Sequence, residues 1–218
     1  KSNLEGKELV RWKYQRYVKD YLRCVAAVDD GVGRILESLD KLGLSENSIV
    51  IYSSDQGFYL GEHGWYDKRW IYEESLKMPL VMRWPGKITP GTKIKKLTQN
   101  IDFAPFFLEA AGAEIPEEIQ GMSLMPLFKN ADADWREAIY YHYYEAGGHG
   151  VPAHYGIRDD RYKLVHFPRT DEWNLVDLKK DPLEMQSVHD KPAYKKTLAD
   201  MRAKLSGLQN KYGVETSP

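Results

Sequence analysis

Ser53–Trp70 reads SSDQGFYLGEHGWYDKRW, and the fold follows from how this stretch begins. Directly before it, Ile49, Val50 and Ile51 form a β-branched run that continues through Tyr52. A short apolar run bounded by a turn signal predicts a buried strand. Asp55, Gln56 and Gly57 end it abruptly. Open α/β sheets bind ligands beyond the carboxyl ends of their strands, so acidic and amide oxygens at such an end mark a candidate site. Glu62, His63, Asp67, Lys68 and Arg69 follow, mixed with Gly57, Gly61 and Gly64. That is too much charge, with too many backbone breakers, for a plain connector.

Upstream of this stretch, apolar residues recur at three- and four-residue steps from Tyr14 through Tyr21, Val28 and Ile35 to Leu39, the pattern of a long amphipathic helix. Gly43 predicts its C-cap. Asp29 and Asp30 fall on this helix and read as a solvated face, and Cys24 reads as a packed thiol. A helix feeding a buried strand is half of an α/β unit.

Downstream, Ile71–Lys77 predicts a short helix stopped by Pro79, and Leu80–Trp84 a second strand ending at Pro85-Gly86. Leu97–Ile101 predicts a third strand. Asp102 predicts the cap of a helix over Phe103–Ala111. The loop-rich Glu114–Asp134 separates a domain over 1–130 from a small subdomain over 131–218. In the latter, Ile139–Glu145, Tyr155–Arg158, Tyr162–Phe167 and Leu175–Leu178 predict four antiparallel strands. Pro192–Tyr212 predicts a covering helix with Leu198, Met201, Leu205 and Leu208 on one face. The expected class is therefore α/β, followed by a four-stranded antiparallel sheet packed on a C-terminal helix.

Composition narrows the function classes. The 218 residues suffice for one large domain or two small ones. The 31 basic and 32 acidic residues nearly cancel, which leaves no basic field for nucleic acid. No run approaches the ~18 apolar residues of a membrane span. The single cysteine excludes an internal disulfide.

In an extended strand Asp55 and Gln56 would face opposite ways. A turn at Gly57 lets both oxygens point at one ion, and all-oxygen ligation suits calcium or magnesium. A strand end at which Asp55 merely caps a turn fits the spacing equally well. Lys68 beside a metal can hold an oxyanion ester and stabilise charge on its leaving oxygen. His63 can donate a hydrogen bond or a proton. Glu73 and Glu74, at a helix start, read as serving the helix dipole. The neighbouring aromatics read mostly as core, with a carbohydrate-stacking rim as the other reading.

These residues match a known pattern. SDQGFYLGEHGWYDKRW followed by YEESLKMPLVMRWPGKI resembles the C-terminal half of type I sulfatases, nearest to the N-acetylglucosamine-6-sulfatase-like branch. The likeness continues through NIDFAPFFLEAAG, GMSLMPLF and RYKLVHF to DPLEM, which is nearly all of the chain. It implies an alkaline-phosphatase-like fold and hydrolysis of a sulfate ester, with 6-sulfated N-acetylglucosamine sugars of glycosaminoglycans or mucin glycans as the substrate class. It further implies calcium at Asp55 and Gln56 and sulfate contact by Lys68. His63, His142, Glu145, His154 and Arg158 become the substrate-facing candidates, and the implied location is the periplasm, the exterior or the lysosome.

The same family uses a formylglycine nucleophile made within a Cys-x-Pro/Ala-x-Arg motif. Here Val28 stands where Cys24 would need its arginine, so Cys24 is not that nucleophile. The aspartate pair that completes the calcium shell is likewise not visible. The resemblance therefore implies a C-terminal portion, inactive alone, whose partner is the N-terminal half of the sulfatase domain. The rival readings are a phosphonate or phosphoester hydrolase of the same superfamily and a non-catalytic carbohydrate-binding remnant.

Overall fold

The computed structural model describes residues 4–145 and 148–214. Helix α1 spans Gly6–Lys41 and ends in a left-handed Gly43 (φ 67°). The Gly43 and Leu44 amides bond back to the Asp40 and Leu39 carbonyls at 3.1 and 2.9 Å, the paired bonds of a Schellman cap. No described residue of α1 is buried. Cys24 is thus exposed, not packed as expected. Asp29 and Asp30 lie on solvated helix surface, as their spacing predicts.

Strand β1 (Val50–Ser53) pairs antiparallel with β2 (Leu80–Arg83), Val50 opposite Arg83 and Ser53 opposite Leu80. Between them the chain folds as a long loop and then forms α2 (Glu73–Leu76). The predicted third strand over Leu97–Ile101 does not form. Gln99 enters a 3-10 turn at Asn100–Asp102 that runs straight into α3 (Phe103–Ala110). Asp102 does not cap α3 directly; it closes a capping box with Gln99 on the 3-10 turn that leads into the helix. Its buried carboxylate accepts the Gln99 and Met122 amides, both at 2.8 Å, and takes Arg136 in a bidentate pair with both contacts at 2.5 Å. These hydrogen bonds and the ion pair together compensate a carboxylate that is fully buried. Helix α4 (Met125–Lys129) then completes an apolar cluster of Phe106, Leu124, Leu127 and Trp135, against which the inner residues of β1 and β2 pack.

The second cluster belongs to a four-stranded antiparallel sheet in the order β3 (Ala138–Tyr143), β4 (His154–Asp159), β5 (Tyr162–Phe167), β6 (Glu172–Asp177). Asp159 accepts the Arg161 and Tyr162 amides at 3.0 and 2.7 Å, which makes the tight turn between β4 and β5. Helix α5 (Lys195–Lys211) lays Met201 and Leu205 onto Ile157, Leu164 and Leu175, with Leu198 and Leu208 at the margin. The expected sheet-and-helix unit is present, and its strand ends differ from expectation by a few residues.

The two faces of this sheet have different neighbours. Ile157, Leu164 and Leu175 face α5. The opposite face carries Tyr141, His154 and Arg158, and it receives the segment that follows the organising stretch. Trp70 stacks near His154 and Phe167, and the Tyr141 hydroxyl bonds the Arg69 carbonyl at 2.6 Å.

Candidate functional site

The loop after β1 closes on itself. The Tyr59 amide bonds the Asp67 carbonyl at 2.8 Å, and the Gly61 amide bonds the Trp65 carbonyl at 2.9 Å. Tyr59 is fully buried, and its hydroxyl donates to the Trp70 carbonyl at 2.9 Å. Burial pushes the Tyr59 phenol well above its ordinary range, so the group stays a neutral donor. Asp67 and Arg69 form a close ion pair within the loop.

One residue of α2 holds both ends of this loop. The Gly57 amide donates to the Ser75 carbonyl at 2.8 Å, and the Ser75 hydroxyl donates to the Lys68 carbonyl at 2.5 Å. The first contact explains the glycine: a Cβ at position 57 would lie 1.9 Å from the Glu74 carbonyl oxygen. Asp55 and Gln56, just before Gly57, are therefore tethered to the same residue as the backbone of Lys68. From the other side, the Asn100 side chain donates to the Asp55 carbonyl at 2.6 Å.

The exposed Asp55 carboxylate has a 3.3 Å contact from the Ser54 hydroxyl. With Gln56 it offers oxygen donors of the kind a hard cation takes, but calcium needs six to eight. Among the described residues no group of three or more His, Cys, Asp and Glu side chains could hold a metal ion. The donor chemistry fits part of a calcium shell and does not close one.

The remaining candidates disperse. His63 adopts a left-handed backbone (φ 53°) and turns its ring inward, stacked on Tyr72 at 3.9 Å, with Nε2 3.6 Å from Glu74 Oε2. Its side chain is 10% exposed, so it packs the loop more than it presents a donor. His154 is fully buried among Trp70, Tyr141, Tyr143 and Phe167, with Nδ1 2.8 Å from the Pro152 carbonyl. That corrects its reading as substrate-facing: the ring is part of the core. Burial also holds its pKa below the ordinary range. His142 is corrected differently. It pairs with Tyr155, beside His166 and Trp173, on the face that packs α5, because side chains alternate along a strand. It therefore points away from the face carrying His154 and Arg158. Its ring stacks on Tyr144 at 3.7 Å, and burial lowers its pKa.

Glu145 is exposed and accepts the Tyr143 hydroxyl at 2.7 Å. Arg158 lines a cleft of about 680 Å³ together with Ser53, Lys77, Lys96 and Asn100. Its guanidinium is held by Glu73 at 3.1 Å.

That contact opens the network which sequence reasoning missed. Glu73 Oε1 lies 3.0 Å from the Lys163 Nζ, and Lys163 lies 2.7 Å from Glu184 Oε1. Glu184 Oε2 in turn accepts the Glu73 amide at 2.6 Å. Lys163 and Glu184 are buried, which is rare for such residues unless they are paired. Burial alone would raise Glu73, but Lys163 and Arg158 outweigh it and hold the carboxyl below its usual range. At Glu184 burial wins, and the carboxyl is raised. Glu73 therefore serves ion pairing between α2 and the C-terminal sheet, not the dipole of its four-residue helix. The signal available in sequence was a lysine at an inward position of β5 and a glutamate in DPLEM, each of which needs a partner once buried.

The model of the Sulfatase family matches residues 2–113, and that of N-sulphoglucosamine sulphohydrolase, C-terminal, matches residues 61–211. The chain belongs to the sulfatase family. An N-acetylglucosamine-6-O-sulfatase of Bacteroides thetaiotaomicron is 48% identical to this sulfatase chain over 217 residues, covering 97% of the chain and 39% of that protein. A solved structure in complex with its substrate D-glucosamine-2-N,6-O-disulfate matches with a TM-score of 0.95 at 47% identity, covering 98% of this chain and 44% of that one. The phosphonate monoester hydrolase of Agrobacterium radiobacter matches with a TM-score of 0.77 at 26% identity, covering 86% of this chain and 40% of that one. The fold is thus the alkaline-phosphatase-like one of sulfatases. The chain spans less than half the length of these relatives.

Proposed function

We propose that these residues form the C-terminal part of an enzyme that hydrolyses the 6-sulfate ester of N-acetylglucosamine-type sugars in glycosaminoglycan or mucin-type glycans. The carrying observation is the match to a structure that holds a 6-O-sulfated glucosamine, with a TM-score of 0.95 over 98% of this chain. In this reading the Lys68 ammonium holds the sulfate and stabilises charge gathering on the leaving oxygen. Asp55 and Gln56 supply two oxygens to a calcium ion, or to magnesium, its smaller alternative. The cation, once held, supplies positive charge beside the sulfate oxygens. Glu145 and Arg158 remain the substrate-side candidates, the first by its exposure and the second by its place on the cleft.

The formylglycine nucleophile and the remaining cation ligands belong, in this proposal, to the N-terminal half of the sulfatase domain, and that half is the obligate partner. The enzyme works in the periplasm, outside the cell or in a lysosome. The test is a full-length protein carrying this chain, assayed with calcium on N-acetylglucosamine-6-sulfate and on phosphonate monoesters. Preferential sulfate release supports the reading. Preferential cleavage of phosphonate esters would replace it with the alternative favoured by the Agrobacterium radiobacter match. The 218 residues alone should turn over no aryl sulfate. Glycan binding without hydrolysis by the full-length protein would reduce the role to carbohydrate binding.

A further inference from the structure

The cation-side and sulfate-side groups sit at opposite ends of a loop, and a rigid catalyst needs their spacing fixed. Among the described residues Ser75 is bonded to both ends, through its carbonyl to Gly57 and through its hydroxyl to Lys68. Ser75 is itself buried, in a helix of four residues, which has little stability of its own. What fixes that helix comes from the second unit. Glu184 of the region after β6 takes the first helical amide, at Glu73, and Lys163 of β5 takes the Glu73 carboxylate. Glu74 meanwhile faces His63 in the middle of the same loop. Three consecutive residues thus bind the sheet, the loop centre and both loop ends.

The geometry points to Ser75 as a positioning residue for sulfate-ester hydrolysis, locked in place by the buried Glu73–Lys163–Glu184 network of the C-terminal sheet. The hydrolysis itself rests on the reading given above, whereas the lock does not. A misplacement of about 1 Å at catalytic groups can cost on the order of a hundredfold in rate. A purely structural role would cost stability and leave the rate per folded molecule intact.

The experiment uses Ser75→Ala and Glu184→Gln in the full-length protein. Both should lower kcat by roughly ten- to a hundredfold, more than they raise KM, and raise the calcium concentration needed for half-activity. In parallel, hydrogen exchange should quicken by about tenfold at the Tyr59 and Gly61 amides and stay unchanged in β4 and β5. Glu184→Gln keeps an acceptor for the Glu73 amide, so it decides the matter where Ser75→Ala fails to fold. Unchanged loop protection in the folded variants, or a uniform rise across the chain, overturns the proposal. If the wild-type protein releases no sulfate, the hydrolytic reading falls, while the exchange data still decide the lock.

Discussion

Glu184 Oε2 accepts the backbone amide of Glu73 at 2.6 Å across 111 residues of sequence. This bond ties the DPLEM segment to the first residue of α2 and brings Lys163 between two carboxylates. Lys163→Met should destabilise the protein by about 3–5 kcal/mol, because it leaves Glu184 buried without its counter-charge. Adding Glu184→Gln should recover part of that loss. Urea titration of the single and double variants measures both quantities.

His154 sets an acid limit. Burial keeps its folded pKa below the ordinary value of 6.5, so the unfolded chain takes up a proton that the folded chain refuses. Its contribution is complete above that value and is lost as pH falls towards the folded pKa. Glu73 adds a loss further down, below the usual 4.5, where its depressed carboxyl finally protonates. Glu184, with its raised pKa, acts with the opposite sign. Urea midpoints at pH 8 and pH 5 should differ less in His154→Phe than in the wild-type protein.

Lys68→Ala in the full-length enzyme should lower kcat by roughly 10²–10³, the scale for removing one donor to developing charge. Its thermal midpoint should stay close to wild type, since it is the Lys68 carbonyl that the fold uses. Asp55→Ala should shift the calcium titration to higher concentration. A calcium response identical to wild type would remove Asp55 from the cation shell.

Gly57→Ala should destabilise by about 1–3 kcal/mol or more, as overpacking does. The new methyl would meet the Glu74 and Ser75 carbonyls at 1.9 and 2.9 Å, and backbone there cannot swing aside as a side chain can. Circular dichroism melts against wild type read the effect.

The elements were legible where periodicity is strong. The helix ending at Gly43, the four late strands and the α5 stripe all follow from spacing. Leu97–Ile101 misled because a short apolar run carries no record of its partners, and Asp102 closes a capping box on the preceding 3-10 turn while also pairing with Arg136. The loop that carries Asp55, His63 and Lys68 was legible as a tightly turned connection from its charge and glycines. The substrate-facing histidines were not. His142 and His154 differ by strand parity, so register alone sends one to the helix face and seals the other under Trp70. The buried network was invisible for a related reason: Lys163 and Glu184 look like ordinary surface charges until their depth is known.

The ribbon of β1 and β2 has a further consequence at the bench. Among the described residues β1 has β2 on one side and no strand on the other. A row of backbone donors and acceptors left open in this way is a template for self-association. Production of these 218 residues by themselves should therefore yield concentration-dependent oligomers, and supplying the neighbouring part of the sheet in the same polypeptide is the direct way to keep the material monodisperse.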